Sequence, residues 1–133
     1  MAKTTGLGWT TFSVDDSGGT PVVIKNDITD VAFATPRGIQ DVTGLDKSAI
    51  ERLLLLADFT LTPKGVFNAS SSHTVFSTVS STSVARTVTI VVATATLPNE
   101  TLFNDYKLTR SPKGELLWEA PGSLADGTVP TWS

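Results

Sequence analysis

The only histidine, His73, follows Ser70-Ser71-Ser72, and a hydroxyl beside an imidazole is the pairing from which a nucleophile and its general base are made. No G-x-S-x-G elbow or other nucleophile context surrounds it, so the segment reads as a surface or helix-start histidine. Glu115 and Glu119 could serve as a glycosidase acid pair if their carboxyls stood about 5 to 9.5 Å apart. On a hairpin, however, they face solvent or a neighbouring subunit. Asp15, Asp16 and the following Ser17-Gly18-Gly19 suggest half a calcium loop, but the EF-hand spacing and its terminal Glu are missing. Gly6-Leu7-Gly8 is too short to cradle a phosphate, and no expected helix follows it.

With no cysteine and one histidine, the chain has no disulfide, no thiol chemistry, no Cys-ligated metal and no multi-histidine metal site. No residue is therefore assigned a catalytic, cofactor-binding or metal-binding role. The chain is read as a non-enzyme that needs no cofactor.

The elements that would position any site are strands. Residues 86–97, RTVTIVVATATL, read as one strand. Val88, Ile90, Val92, Thr94 and Thr96 lie on one side, and Thr87, Thr89, Val91, Ala93, Ala95 and Leu97 on the other. A solvated sheet face would alternate Lys, Glu or Asp into such a run, yet Arg86 is the only formal charge between Gly65 and Asn99. Thr11 to Asp15 and Pro21 to Lys25 flank Asp16-Ser17-Gly18-Gly19 and read as a hairpin. Ile28 to Thr35 alternates as a strand that Pro36 ends. Residues 38–52 carry no clean period and read as a loop, with Asp46 able to cap one helical turn. A strand from about Leu54 to Thr62 follows, with a turn or bulge at Lys64-Gly65. The serines before His73 to Val79 predict a short helix. Thr101 to Arg110 and Glu115 to Ala120 pair across Ser111-Pro112-Lys113-Gly114, with Leu116 and Trp118 toward the core.

At 133 residues the chain is one domain, long enough to bury roughly two-thirds of its unfolded surface. Its 17% charged content falls below the usual value of about 25%, so Thr, Ser and Asn must supply a polar surface that desolvates easily. The net charge of −3 and the lack of any Lys/Arg run argue against a dedicated nucleic-acid binder. The opening MAKTTGLGWTTFSV has no continuous apolar core and does not read as a secretory signal. The longest apolar run, Leu53 to Ala57, is far too short to span a membrane. Asn68-Ala69-Ser70 and Asn99-Glu100-Thr101 match the glycosylation triplet, by chance if the chain is not exported. Long uncharged strands with open edges recruit other chains, and cyclic strand addition would use them. A strand central to a self-sufficient sandwich is the other reading.

Four ordered blocks, TFSVDDSGGTPVVIKNDIT, QDVTGLDKSAIERLLLLADFTLTPKGVFN, SHTVFSTV and LADGTVPTWS, cover nearly the whole chain. Together they resemble the major tail proteins, or tail tube subunits, of long-tailed, non-contractile (siphovirus-type) bacteriophages of actinobacterial hosts. The resemblance implies an all-β fold of two packed antiparallel sheets with one flanking helix, over residues 71–80, outside the barrel. It also implies hexameric rings stacked into a hollow tube, in which an inner sheet from every subunit joins one barrel around the lumen. The tube belongs to the virion tail and is assembled in the host cytoplasm. Its implied partners are other copies, tape measure protein, baseplate and tail terminator, with phage DNA passing through unbound and no membrane involved.

In that picture residues 38–53 form an extended inter-ring loop bearing Gly38, Ile39, Gln40, Asp41, Val42, Leu45, Ile50 and Arg52, and the termini help join rings. Six copies would carry a charge of −18, and Asp27, Asp30, Asp105 and Glu119 are the lumen or rim candidates. Pro63-Lys64 interrupts a strand that the family runs unbroken. Trp132, too large to be left in water, is expected to dock on its own domain or a neighbour. The rival reading is a monomeric carbohydrate-binding-like sandwich with Trp9, Trp118 and Trp132 on one exposed face, and a secreted hydrolase is the third.

Overall fold

The computed structural model describes Lys3 and residues 5–133. Met1, Ala2 and Thr4, part of the N-terminal stretch expected to help join rings, lie outside the described residues. The fold is mostly β with one short helix and two antiparallel sheets, as expected.

Strands β1 (Trp9–Asp15) and β2 (Pro21–Val23) form the first hairpin. Asp16 Oδ1 accepts hydrogen bonds from the Gly18 N–H at 2.9 Å and the Thr20 N–H at 3.0 Å. Gly19 adopts φ 86°, so the turn closes on its own side chain. Strand β3 (Ile28–Ala34) ends before Pro36.

Residues 38–52, expected as a loop, begin and end in strand. Strands β4 (Arg37–Asp41) and β5 (Arg52–Ala57) pair as a separate two-stranded ribbon. The run expected as one strand from Leu54 to Thr62 breaks at Asp58-Phe59, and β6 (Thr60–Val66) begins beyond it.

Pro63 does not end β6. In a strand a residue's N–H and C=O point to the same edge, and the Ala120 N–H donates to the Pro63 carbonyl. The missing N–H therefore falls at the Ala120-Pro121 break between β10 (Leu116–Glu119) and β11 (Gly122–Leu124), which share that edge of β6. A proline is tolerated where the ladder already has a gap.

Helix α1 (Ser72–Phe76) is one short stretch, with looser turns through Thr82 in place of the longer 71–80 helix. Strand β7 (Arg86–Val92) does not run on to Leu97. It turns at Ala93-Thr94 into β8 (Ala95–Phe103), with Ile90 opposite Leu97 and Val92 opposite Ala95. Ala93 carries the turn at φ 54°, a left-handed conformation costly for a residue with a Cβ. The expected Thr101–Arg110 strand is broken at residues 104–106 and resumes as β9 (Lys107–Arg110).

Nine strands hydrogen-bond into one curled sheet, ordered β2-β1-β7-β8-β11-β6-β10-β9, with β3 on the other edge of β6. The bend at β11–β6 folds β2-β1-β7-β8-β11 over β3-β6-β10-β9. Phe12, Val14, Val88, Ile90 and Leu97 from the first layer meet Phe59, Leu61 and Trp118 from the second. Val75 and Phe76 of α1 enter the same core, and Phe76 packs edge-on against Phe103 and tilted against Trp118, with ring centroids 5.1 Å away in each case. The inner face of β7 is thus covered by the second layer. The outer face, Thr87, Thr89 and Val91, stays partly open and uncharged.

Candidate assembly interface

The residues that could have done chemistry are occupied structurally. His73 Nδ1 lies 3.3 Å from the Tyr106 hydroxyl, and its ring stacks on Phe67 at 4.9 Å. Ser70 donates to Asn68 Oδ1, and Ser71 donates to Asp27. Neither hydroxyl pairs with the imidazole. Among the described residues no cluster of three His, Asp or Glu could hold a metal ion, and no helix is long and apolar enough to cross a membrane.

Asp27 is the first correction among the lumen candidates. It is 6% exposed and accepts from the Ser71 hydroxyl, Asn68 Nδ2 at 2.9 Å and the Ser72 N–H at 3.1 Å. Burial pushes its carboxyl up, but the bonds from Ser71, Asn68 and Ser72 outweigh this and hold it below the ordinary value. Asp27 anchors the start of α1 and is not available to line a channel. At the other end the buried Arg86 donates to the Val75 carbonyl at 2.7 Å and to Thr78 Oγ1 at 2.9 Å. Burial pulls its pKa down, and the charge of Asp16 partly restores it. An anion and a cation thus bracket a five-residue helix that could not stand alone.

Asp30 and Glu119 are brought together. Asp30 is opposite Lys64, Lys64 is opposite Glu119, and Glu119 is opposite Lys107. Directly opposed residues point to one face, so four strands carry a transverse row of alternating charge, two negative and two positive. Among the described residues the only ion pair within 4.0 Å is Lys47 with Glu51, so the row is a pattern of neighbours without closed pairs. Asp105 lies exposed in the link before β9, outside the row, with its Oδ1 bonded to the Tyr106 N–H. Lys64 and Lys107 were not singled out from sequence. Alternation within β6 and β9 places them on the outer face, but only the register reveals the row.

The ribbon is the largest apolar feature. Leu53, Leu54, Leu55 and Leu56 are all exposed, as are Ile39, Val42, Leu45 and Ile50. Leu54 shares one face with Ile39, whereas Leu53, opposite Gln40, and Leu55, beside Gly38, occupy the other, and the register shifts between Ile39 and Arg37. The tip is nevertheless tied together by its own bonds. Asp41 Oδ1 accepts from the Thr43 N–H and hydroxyl, and Thr43 Oγ1 accepts from the Glu51 N–H. Those bonds hold the Asp41 carboxyl below its ordinary value.

The three tryptophans do not form one exposed face. Trp118 is 1% exposed, and Trp9 packs edge-on against Phe33 at 5.6 Å. Trp132 docks on its own domain, 5.9 Å from the Phe33 ring, while Ser133 exchanges backbone hydrogen bonds with Thr96. A sugar-stacking platform is not formed.

No family model matches the sequence, and no curated protein matches it. Solved structures do. A chain in the virion of a native gene transfer agent particle superposes with a TM-score of 0.77 at 12% identity, covering 98% of this chain and 99% of that one. A chain in the tail of an empty gene transfer agent particle, a tail with C6 symmetry, superposes with a TM-score of 0.75 at 17% identity, covering 98% of both. The fold is one shared with a tail. Both likenesses span almost every residue and are likenesses of fold.

Proposed function

We propose that the chain is the repeating subunit of a hollow tail tube, in which six copies close a ring, rings stack, and DNA is ejected through the channel into the host. The observation that carries the reading is the ribbon. A lone copy leaves four consecutive leucines in water, where full burial of each would stabilise by about 1.5–3 kcal/mol. A ribbon apolar on both faces suits insertion between protein surfaces rather than packing on one. The likeness of fold to a C6 tail supports the same reading.

The four sequence blocks favour a long-tailed, non-contractile particle of an actinobacterial host, with tape measure, baseplate and terminator proteins as further partners. In this arrangement Ile39, Val42, Leu45 and Ile50 reach the adjoining ring, flanked by Gly38, Gln40, Asp41 and Arg52. The face bearing Asp30, Lys64, Glu119 and Lys107 lines the channel. Its charges balance, so the wall gives a phosphate backbone no basic track to grip.

Size-exclusion chromatography with negative-stain microscopy of the purified chain tests the reading. Rings or tubes are expected. A monodisperse 14 kDa species at every concentration and salt would overturn it.

A further inference from the structure

The last residues of the chain form a bow tied at both ends. Beyond β11 the Leu124 N–H donates to the Phe59 carbonyl at 2.8 Å and the Ala125 N–H to the Glu100 carbonyl at 2.9 Å. At the far end Ser133 exchanges two backbone hydrogen bonds with Thr96, and Trp132 rests on Phe33. Between these anchors the hydrogen bonds of residues 126–131 to other described residues are local. The Thr128 N–H donates to Asp126 Oδ1, and the Thr131 hydroxyl donates to the Val129 carbonyl. Val129 stands midway along the span and is 63% exposed.

Val129 also faces the base of the ribbon. With Arg37, Leu54, Leu55, Leu56 and Ala57 it lines a hollow of about 540 Å³. Arg37 is the only charged residue among these six, and its Nε already donates to the Leu55 carbonyl at 2.8 Å. Water in so apolar a hollow finds few partners, which favours drawing the walls together. Neither wall is pinned. The ribbon's ladder is separate from the nine-stranded sheet, and the bow is bonded to the body only at its ends.

The hollow is open in this structure, leaving Leu54, Leu55 and Leu56 exposed. Apolar surface of that kind draws free copies together indiscriminately. We infer that a free copy spends part of its time with the ribbon leaning on the bow, the hollow closed and Val129 shielding the leucines at the ribbon's base. This restraint rests on the tube reading and regulates it. A closed copy cannot present those leucines to a neighbour, so only the open fraction joins a tube, and joining holds the ribbon away from the bow. The closure is shallow, because one valine supplies the cover and the narrow neck lets the ribbon swing off it.

The cysteine-free chain allows the closed form to be trapped. Val129→Cys is combined in turn with Leu54→Cys, Leu55→Cys and Leu56→Cys, and each dilute, unassembled variant is mildly oxidised. A disulfide needs Cα atoms within about 7 Å. At least one pair is expected to form it within a single copy, seen as a non-reducing band at monomer mass with both thiols consumed. Failure of all three pairs overturns the closure. Disulfide-linked dimers as the sole product also overturn it, since a second copy then covers the leucines in place of the bow.

The second measurement is the lag before tubes appear in light scattering, with only Val129 changed. Val129→Ser should shorten the lag about twofold or more, because copies no longer divide between closed and open forms. An unchanged or longer lag, with wild-type tubes present, overturns the restraint and leaves the tube reading standing. A wild-type chain that forms neither rings nor tubes overturns both.

Discussion

The carbonyl oxygen of Asp27 stands 1.7 Å from where a β-carbon on Gly65 would be. Gly65 is the next-to-last residue of β6, opposite Ile28 on one side and Trp118 on the other. The turn that delivers Asp27 to the start of α1 therefore presses directly on the β6 backbone. Replacing Gly65 with Ala should cost about 3 kcal/mol or more, because the obstacle is backbone and cannot swing aside. Urea denaturation measures it, and a loss under about 0.5 kcal/mol would contradict the close approach.

Asp27 also makes stability depend on acid. Its folded pKa is lowered, so its contribution is fully present above the unfolded value near 3.9 and is lost as pH falls through the folded pKa. Asp27→Asn should cost about 1–3 kcal/mol at neutral pH through weakened bonds to Ser71, Asn68 and Ser72. The difference between variant and wild type should shrink below pH 4. Denaturation curves collected at pH 7 and pH 3 decide this, and an unchanged gap would place the acid sensitivity elsewhere.

Ala93 holds φ 54° at an exposed hairpin corner. Ala93→Gly should raise stability by about 1 kcal/mol, since glycine adopts that conformation without a Cβ clash. A lower melting temperature in the glycine variant would show that Ala93 contributes something other than strain.

Ribbon substitutions should separate folding from assembly. Leu54→Ser on one face and Leu55→Ser on the other each remove an exposed leucine, so the denaturation midpoint of the single copy should move by less than about 0.5 kcal/mol. Tube formation, followed by light scattering and microscopy, should be impaired by both. If only one face matters, the ribbon lies on a single surface instead of between two.

Much of the strand layout is legible because its corners announce themselves. Asp16-Ser17-Gly18-Gly19 and Ser111-Pro112-Lys113-Gly114 carry turn chemistry, and both make the hairpins their residues predict. Ala93-Thr94 carries none, so this two-residue hairpin turn reads as the middle of a strand. The leucine run of β5 fails differently. Period-two reasoning needs a wet face and a dry face, and Leu53 to Leu56 present no such contrast, which hides a ribbon behind the look of a loop and a core strand.

The candidate residues divide along the same line. Asp30 and Glu119 stand out as acids on strands, but their lysine partners emerge only when four strands that are distant in sequence are laid side by side. Asp27 has the same composition signal as Asp30 and the opposite fate. What separates them is Asn68, Ser71 and Ser72, more than forty positions later in the chain, arriving to satisfy a carboxylate. Trp132 is the reverse case, since its size alone implies a docking surface, and Phe33 provides it.

The ribbon leaves the body through a narrow neck, where the Asp58 N–H bonds the Pro36 carbonyl at 2.9 Å and beyond which only the ribbon's own ladder continues. In the proposed tube such a neck would serve as a swivel. A filament whose segments are fastened by swivels can curve like a hose, taking up the bend at its couplings while every segment keeps a round, unpinched bore. Images of bent and straight stretches would then differ in the angle at Pro36 and Asp58 and agree everywhere inside the sheet.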